Sequence, residues 1–117
     1  MIMENIVVVD ASVVLQLLVG TDIDWETLDR LRNAQLHAPA HLDAEVFAAL
    51  THLNRTGHLS TDDVAAALVA AARLPMTRHA IPELLSSAWE QQPTVRVSEA
   101  LYTALADRLG APIISAY

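Results

Sequence analysis

The chain has 117 residues and a formal net charge of −7, from 14 acidic and 7 basic side chains. Every basic residue is Arg, and there is neither Lys nor Cys. That excludes a P-loop, a lysine Schiff base, a lysine-dependent phospho-acceptor site, disulfides, thiolate nucleophiles and Cys-bound zinc. The acidity argues against a broad basic nucleic-acid footprint, yet it suits a carboxylate cluster that brings its positive charge in with a metal ion.

The length fits one domain, residues 1–117, with a sizeable core. The opening MIMENIVVVD lacks the basic region and cleavage site of a secretory signal, and no apolar run approaches the roughly 20 residues of a membrane span. A cytoplasmic location with no membrane partner is therefore expected. Residues 6–9, IVVV, read as a strand buried on both faces. Asp10 stops that run and Ser12 follows. From Val13 a helical stripe of Val13, Val14, Leu17 and Leu18 runs up to Gly20. Residues 21–24 read as a loop. Residues 25–33 read as a short helix with Trp25, Leu28 and Leu31 inward, and residues 36–38 as a strand ended by Pro39.

Residues 41–55 form a clearer helical pattern, with Leu42, Val46, Ala49, Leu50 and Leu53 on one face and Gly57 closing it. Ser60 caps a second helix that Pro75 stops, so residues 42–74 predict a helical hairpin. A third strand is expected over 76–81. A helix follows from Pro82 to about Gln92, with Leu84, Leu85, Ala88 and Trp89 inward. Residues 93–97 read as extended. Ser98 is placed as the cap of a last helix, in which Leu101, Ala104, Leu105 and Leu109 face inward and which Gly110 ends; residues 112–115 form a final strand. Strands alternating with helices predict an α/β fold with a parallel sheet of about four strands, flanked by helices in three layers.

Three acids stand out. Asp10 lies at the carboxyl end of a central strand, where open α/β sheets bind ligands; it is placed either as a metal ligand or as a simple helix cap. Glu45 lies at the edge of an apolar stripe, where a carboxylate must be paired, bound to a cation or extended to water. Glu99 sits in a first helical turn, as a ligand or as a partner of the helix dipole. All three precede or open helices, which in a parallel sheet means one common edge. His41, Arg78 and Arg96 carry weaker signals: five scattered histidines show no zinc spacing, and surface Arg is common. Trp25, Trp89 and Tyr102 are assigned to packing.

The blocks VVDASVVLQLL, HAPAHLDAEVFAAL and SAWEQQPTVRVSEALYTALADRLGAPIISAY resemble a PIN domain of the VapC toxin type over nearly the whole chain. The resemblance implies a Mg²⁺- or Mn²⁺-dependent ribonuclease of a toxin–antitoxin pair. It also implies a VapB-like antitoxin whose C-terminal segment lies across the active site, and a homodimer. It carries the first two acids onto Asp10 and Glu45. The third falls on Glu99, where the family usually has Asp in a DA-x-Y context and this chain reads Glu99-Ala-Leu-Tyr102. The fourth belongs to a TAD or SAD triplet, and here Ser115-Ala116-Tyr117 supplies no carboxylate. Ser12 is placed either as a hydroxyl that hydrogen-bonds a ligand carboxylate or as a helix-start serine, and Ser115 as a supporting hydroxyl of the same site. The helix and strand that usually end the family are expected to be missing. The leading expectation is an endoribonuclease that hydrolyses RNA phosphodiesters through Asp10, Glu45 and Glu99. The alternatives are a catalytically impaired PIN module that binds antitoxin or RNA, and an unrelated binding domain in which the three acids lie apart.

Overall fold

A strand buried on both faces needs neighbours on either edge and helices above and below. In the computed structural model, which describes residues 5–20, 24–93 and 95–116, β1 (Asn5–Val9) has both. It pairs in parallel with β2 (Ala34–Pro39) on one side and with β4 (Ile113–Ile114) on the other. β2 pairs in parallel with β3 (Met76–His79), giving the order β3-β2-β1-β4. The chain steps outward from β1 to β3 and then returns to the far side of β1. That reversal makes β1 the switch point of the sheet.

The helices are α1 (Ala11–Val19), α2 (Trp25–Arg32), α3 (Leu42–Arg55), α4 (Thr61–Ala72), α5 (Leu85–Gln91) and α6 (Val97–Leu109). Right-handed crossovers put the connections within β1-β2-β3 on one face and the return to β4 on the other. Accordingly α1, α3 and α4 pack on one another, while α5 packs on α6 and α6 lies against β1 and β2. Val8, Val9, Val13, Leu50 and Leu105 are fully buried between these layers. α1 and α6 both end at glycines in the left-handed conformation, Gly20 at φ 71° and Gly110 at φ 61°. There a side chain would strain the turn.

Several expectations are corrected. Trp25 is 78% exposed, because it opens a helix that contacts the sheet mainly at β2, through the turn that buries Leu31. β2 runs through Pro39, and the Ala40 N–H continues the ladder by donating to the His79 carbonyl at 2.8 Å. Pro82 opens a 3₁₀ turn, Ile81–Leu84, rather than an α-helix. The buried pair is then Leu84 and Ala88, and the adjoining Leu85 and Trp89 are turned outward to 55% and 73% exposure. β4 contains only Ile113 and Ile114 of the four residues expected. The predicted loop at 21–24 lies mostly outside the described residues, as does Thr94 of the extended segment.

Between β2 and β3, His37 Nδ1 and His79 Nε2 face each other at 2.9 Å. Burial, followed by the neighbouring His37, holds the His79 imidazole below its ordinary pKa of 6.5. The unfolded chain therefore binds this proton more readily than the folded one. The stability involved is present above the ordinary pKa and is lost as pH falls through the lowered value. We expect the melting temperature to decline between about pH 7 and 5, and His79→Gln to flatten part of that decline. An identical slope in the variant would show that this pair does not contribute.

Candidate active site

Asp10 stands immediately after β1, at the switch point, with extended backbone at φ −97° and ψ 175°. It caps α1: its Oδ1 accepts from the Val13 N–H at 3.2 Å and from the Ser12 hydroxyl at 2.5 Å. Oδ2 has no partner among the described residues. The cap thus occupies one oxygen and leaves the other open. Ser12 does more than start a helix. Its oxygen also accepts from the Ala116 N–H at 2.9 Å and lies 3.4 Å from the Ser115 hydroxyl, tying the exit of β4 to the start of α1.

Glu45 lies in the first turn of α3, beside the buried stripe of Leu42, Val46 and Leu50. It does not extend freely to water. The Tyr102 hydroxyl donates to its Oε1 at 2.5 Å, and His41 Nε2 lies 3.5 Å from the same oxygen. The His41 ring rests against Tyr102, with centroids 5.0 Å apart. Burial is the first cause holding the Tyr102 phenol well above its usual pKa of 10.0, with the Glu45 hydrogen bond and the charges of Glu45 and Asp10 adding to it. The phenol therefore keeps its proton and acts as a donor at any working pH. Glu45 Oε2 has no partner among the described residues.

Glu99 is the third residue of α6, exposed, and its carboxylate has no hydrogen-bond or ion-pair partner among the described residues. Ser98 does not cap this helix. α6 already begins at Val97, so Arg96 takes the cap position and Ser98 falls inside the first turn.

Asp10, Glu45 and Glu99 line one cavity of about 390 Å³, together with Ser12, Ser98, Ser115 and Tyr102. The unrelated-domain alternative required the three acids to lie apart, and it is thereby removed. Among the described residues the polar side chains of the lining offer oxygen and no nitrogen or sulfur, which suits a hard divalent cation. Among the described residues no three His, Asp or Glu side chains form a ready-made metal cage. The donor set fits a cation that keeps several waters and takes only one or two carboxylates directly, as Mg²⁺ does.

Sequence reasoning assigned Tyr102 to packing alone. It is buried, and it also grips Glu45. The available signal was its position three residues beyond Glu99, which puts both on one helix face. Arg78 is committed elsewhere: its guanidinium bonds Asp43 Oδ2 and the Ala71 carbonyl, each at 2.8 Å, clamping α3 and α4 to β3. Tyr117, at the fourth acid position of the resemblance, lies outside the described residues.

Comparison with known proteins places the family. The sequence profile of the PIN domain matches residues 7–117. The solved structure of Mycobacterium tuberculosis VapC20, a toxin that cleaves the sarcin-ricin loop, superposes with a TM-score of 0.62. That match covers 90% of this chain and 84% of the other at 20% identity, and it shows the fold alone. Ribonuclease VapC3 of M. tuberculosis strain H37Rv is 41% identical over 110 residues, which are 93% of this chain and 80% of its own length. Ribonuclease VapC12 of the same strain is 31% identical over 109 residues, covering 93% and 84%. The chain belongs to the PIN-domain family and, within it, to the VapC-type ribonucleases.

Proposed function

We propose that this chain is the endoribonuclease toxin of a VapBC-type pair, that it uses Mg²⁺ or Mn²⁺, and that Asp10, Glu45 and Glu99 carry its chemistry. The observation behind this reading is that three acids from three separate elements line one cavity at the switch point of the sheet. Asp10 and Glu45 each have one oxygen already held by the protein and one left over. Asp10 and Glu45 would hold the cation through those remaining oxygens, with Glu99 joining directly or through water. When bound, such a cation acidifies water and neutralises charge on phosphate oxygens.

The chain's own residues set the stage. Ser12 and the Val13 N–H fix Asp10, while Tyr102 fixes Glu45. Ser98 and Ser115 offer hydroxyls along the cavity wall. Glu99 is the acid left free to adjust as RNA enters. Its extra methylene relative to the family's usual Asp is accommodated by that freedom. The partners follow from the same reading: RNA as substrate, a VapB-like antitoxin as restraint, and a second copy of the chain. Exposed Phe47, Val69 and Trp89 supply apolar surface of the kind that protein partners cover. The location that goes with these partners is the cytoplasm; among the described residues no helix is long and apolar enough to cross a membrane.

Titration with Mn²⁺ tests the site. At a concentration about 100-fold above the dissociation constant, one bound cation adds about 2.7 kcal/mol. The melting temperature should then rise by several degrees, in parallel with the onset of RNA cleavage, and chelation should reverse both. A flat melting temperature together with cleavage that survives chelation would sink the reading. The same assay decides the impaired-module alternative, which rests on Tyr117: RNA cut by the unaltered chain rules it out.

A further inference from the structure

We propose that Tyr102 is a positioning residue that fixes which oxygen of Glu45 meets the divalent cation. The inference rests on the metal site proposed above. A glutamate has three rotatable side-chain bonds and two equivalent oxygens, so alone it would sample many poses. Here its Oε1 takes the Tyr102 O–H at 2.5 Å, with His41 Nε2 at 3.5 Å from the same atom. Among the described residues neither His41 nitrogen has a hydrogen-bond partner, and the imidazole rests against the Tyr102 ring while the phenol donates to Glu45. Oε2 is then the oxygen left open.

Tyr102 is itself held firmly. It is only 5% exposed, and its helix is anchored by the buried Ala104, Leu105 and Ala106. The contact also joins α3 to α6, which follow different strands, so the carboxylate is set by tertiary structure rather than by its own helix. Such outer partners orient ligating carboxylates, and their loss typically weakens metal binding or activity by about 10- to 100-fold.

The test is Tyr102→Phe in the full chain, which keeps the ring against His41 and removes only the O–H. Mn²⁺ affinity measured by calorimetry should fall at least about 10-fold, with the circular dichroism of the metal-free protein unchanged. Raising Mn²⁺ should then restore most of the RNA cleavage, a recovery that a purely structural defect would not give. Equal Mn²⁺ affinity in the variant and the parent would overturn the proposal while leaving the metal site standing. A parent chain that takes up no Mn²⁺ would overturn both. A readout independent of the variant comes from the parent labelled with 3-fluorotyrosine, its Tyr102 fluorine resonance assigned through Tyr117→Phe. That resonance should shift during Mg²⁺ titration, and an unmoved signal in a protein that binds Mg²⁺ would count against the proposal.

Discussion

Asp10→Asn should leave the chain folded and its RNA uncut. Asn is as good an N-cap as Asp, and its side-chain oxygen can keep both the Val13 N–H and the Ser12 hydroxyl that Asp10 Oδ1 now accepts. What disappears is the negative charge and the open Oδ2. We expect the melting temperature of the metal-free protein to stay close to that of the parent, because one half-buried charge is removed and no contact is broken. Cleavage should fall by at least about 100-fold, the upper end of what losing even an outer partner of a metal ligand costs. Asp10→Ala should lose cleavage equally and, in addition, about 1 kcal/mol of stability with the cap. The pair of variants separates the two roles of one side chain. An Asp10→Asn protein that cuts RNA at the parental rate would leave Asp10 a helix cap and nothing more.

Leu105→Ala should produce the largest loss of stability among the substitutions considered. Leu105 is fully buried in the middle of α6, the helix that carries both Glu99 and Tyr102 and lies against β1 and β2. Truncating a buried leucine removes its transfer free energy and leaves a cavity, at a combined cost of about 2–5 kcal/mol. In a domain of this size that lowers the melting temperature by on the order of 10 °C. Thermal unfolding followed by circular dichroism reads the effect directly. At low temperature, where the variant is still folded, Mn²⁺ uptake should persist, since no group at the cavity has been touched. A shift of a degree or less would mean that the helix is held by its flanks and not by this side chain.

The stretch from β1 through Asp10 into α1 was legible because every local signal agreed: a β-branched run, a capping acid, a helical stripe and a glycine. α3 was legible for the same reason, with Leu42, Val46 and Leu50 buried as their spacing required. That Asp10 and Glu45 share an edge also followed from local facts, since each lies at or near the start of a helix that leaves the carboxyl end of a parallel strand; α6, which carries Glu99, follows α5 and not a strand, and packing on β1 and β2 brings it there. Periodicity could not show how far a helix is covered. Trp25, Leu85 and Trp89 are apolar and fall at helical spacing, but α2 and α5 are short, and they pack chiefly on β2 and on α6. The 3₁₀ turn at Ile81–Leu84 then shifted the phase of the stripe that follows it. Contacts between remote residues were beyond reach for another reason. Tyr102 and Glu45 are separated by 57 positions, and His37 and His79 by 42. Nothing within either segment specifies its mate; packing across the sheet does.

The acids that line the cavity are drawn from positions 10, 45 and 99, and the tyrosine that grips the second of them comes from position 102. On the reading proposed above, a ribosome that has released the first two-thirds of this chain has yet to make the third acid and the tyrosine of the site. The cavity of that reading is complete only once α6 has emerged and packed on β1 and β2. A cell making such a protein has that interval in which to supply the restraining partner.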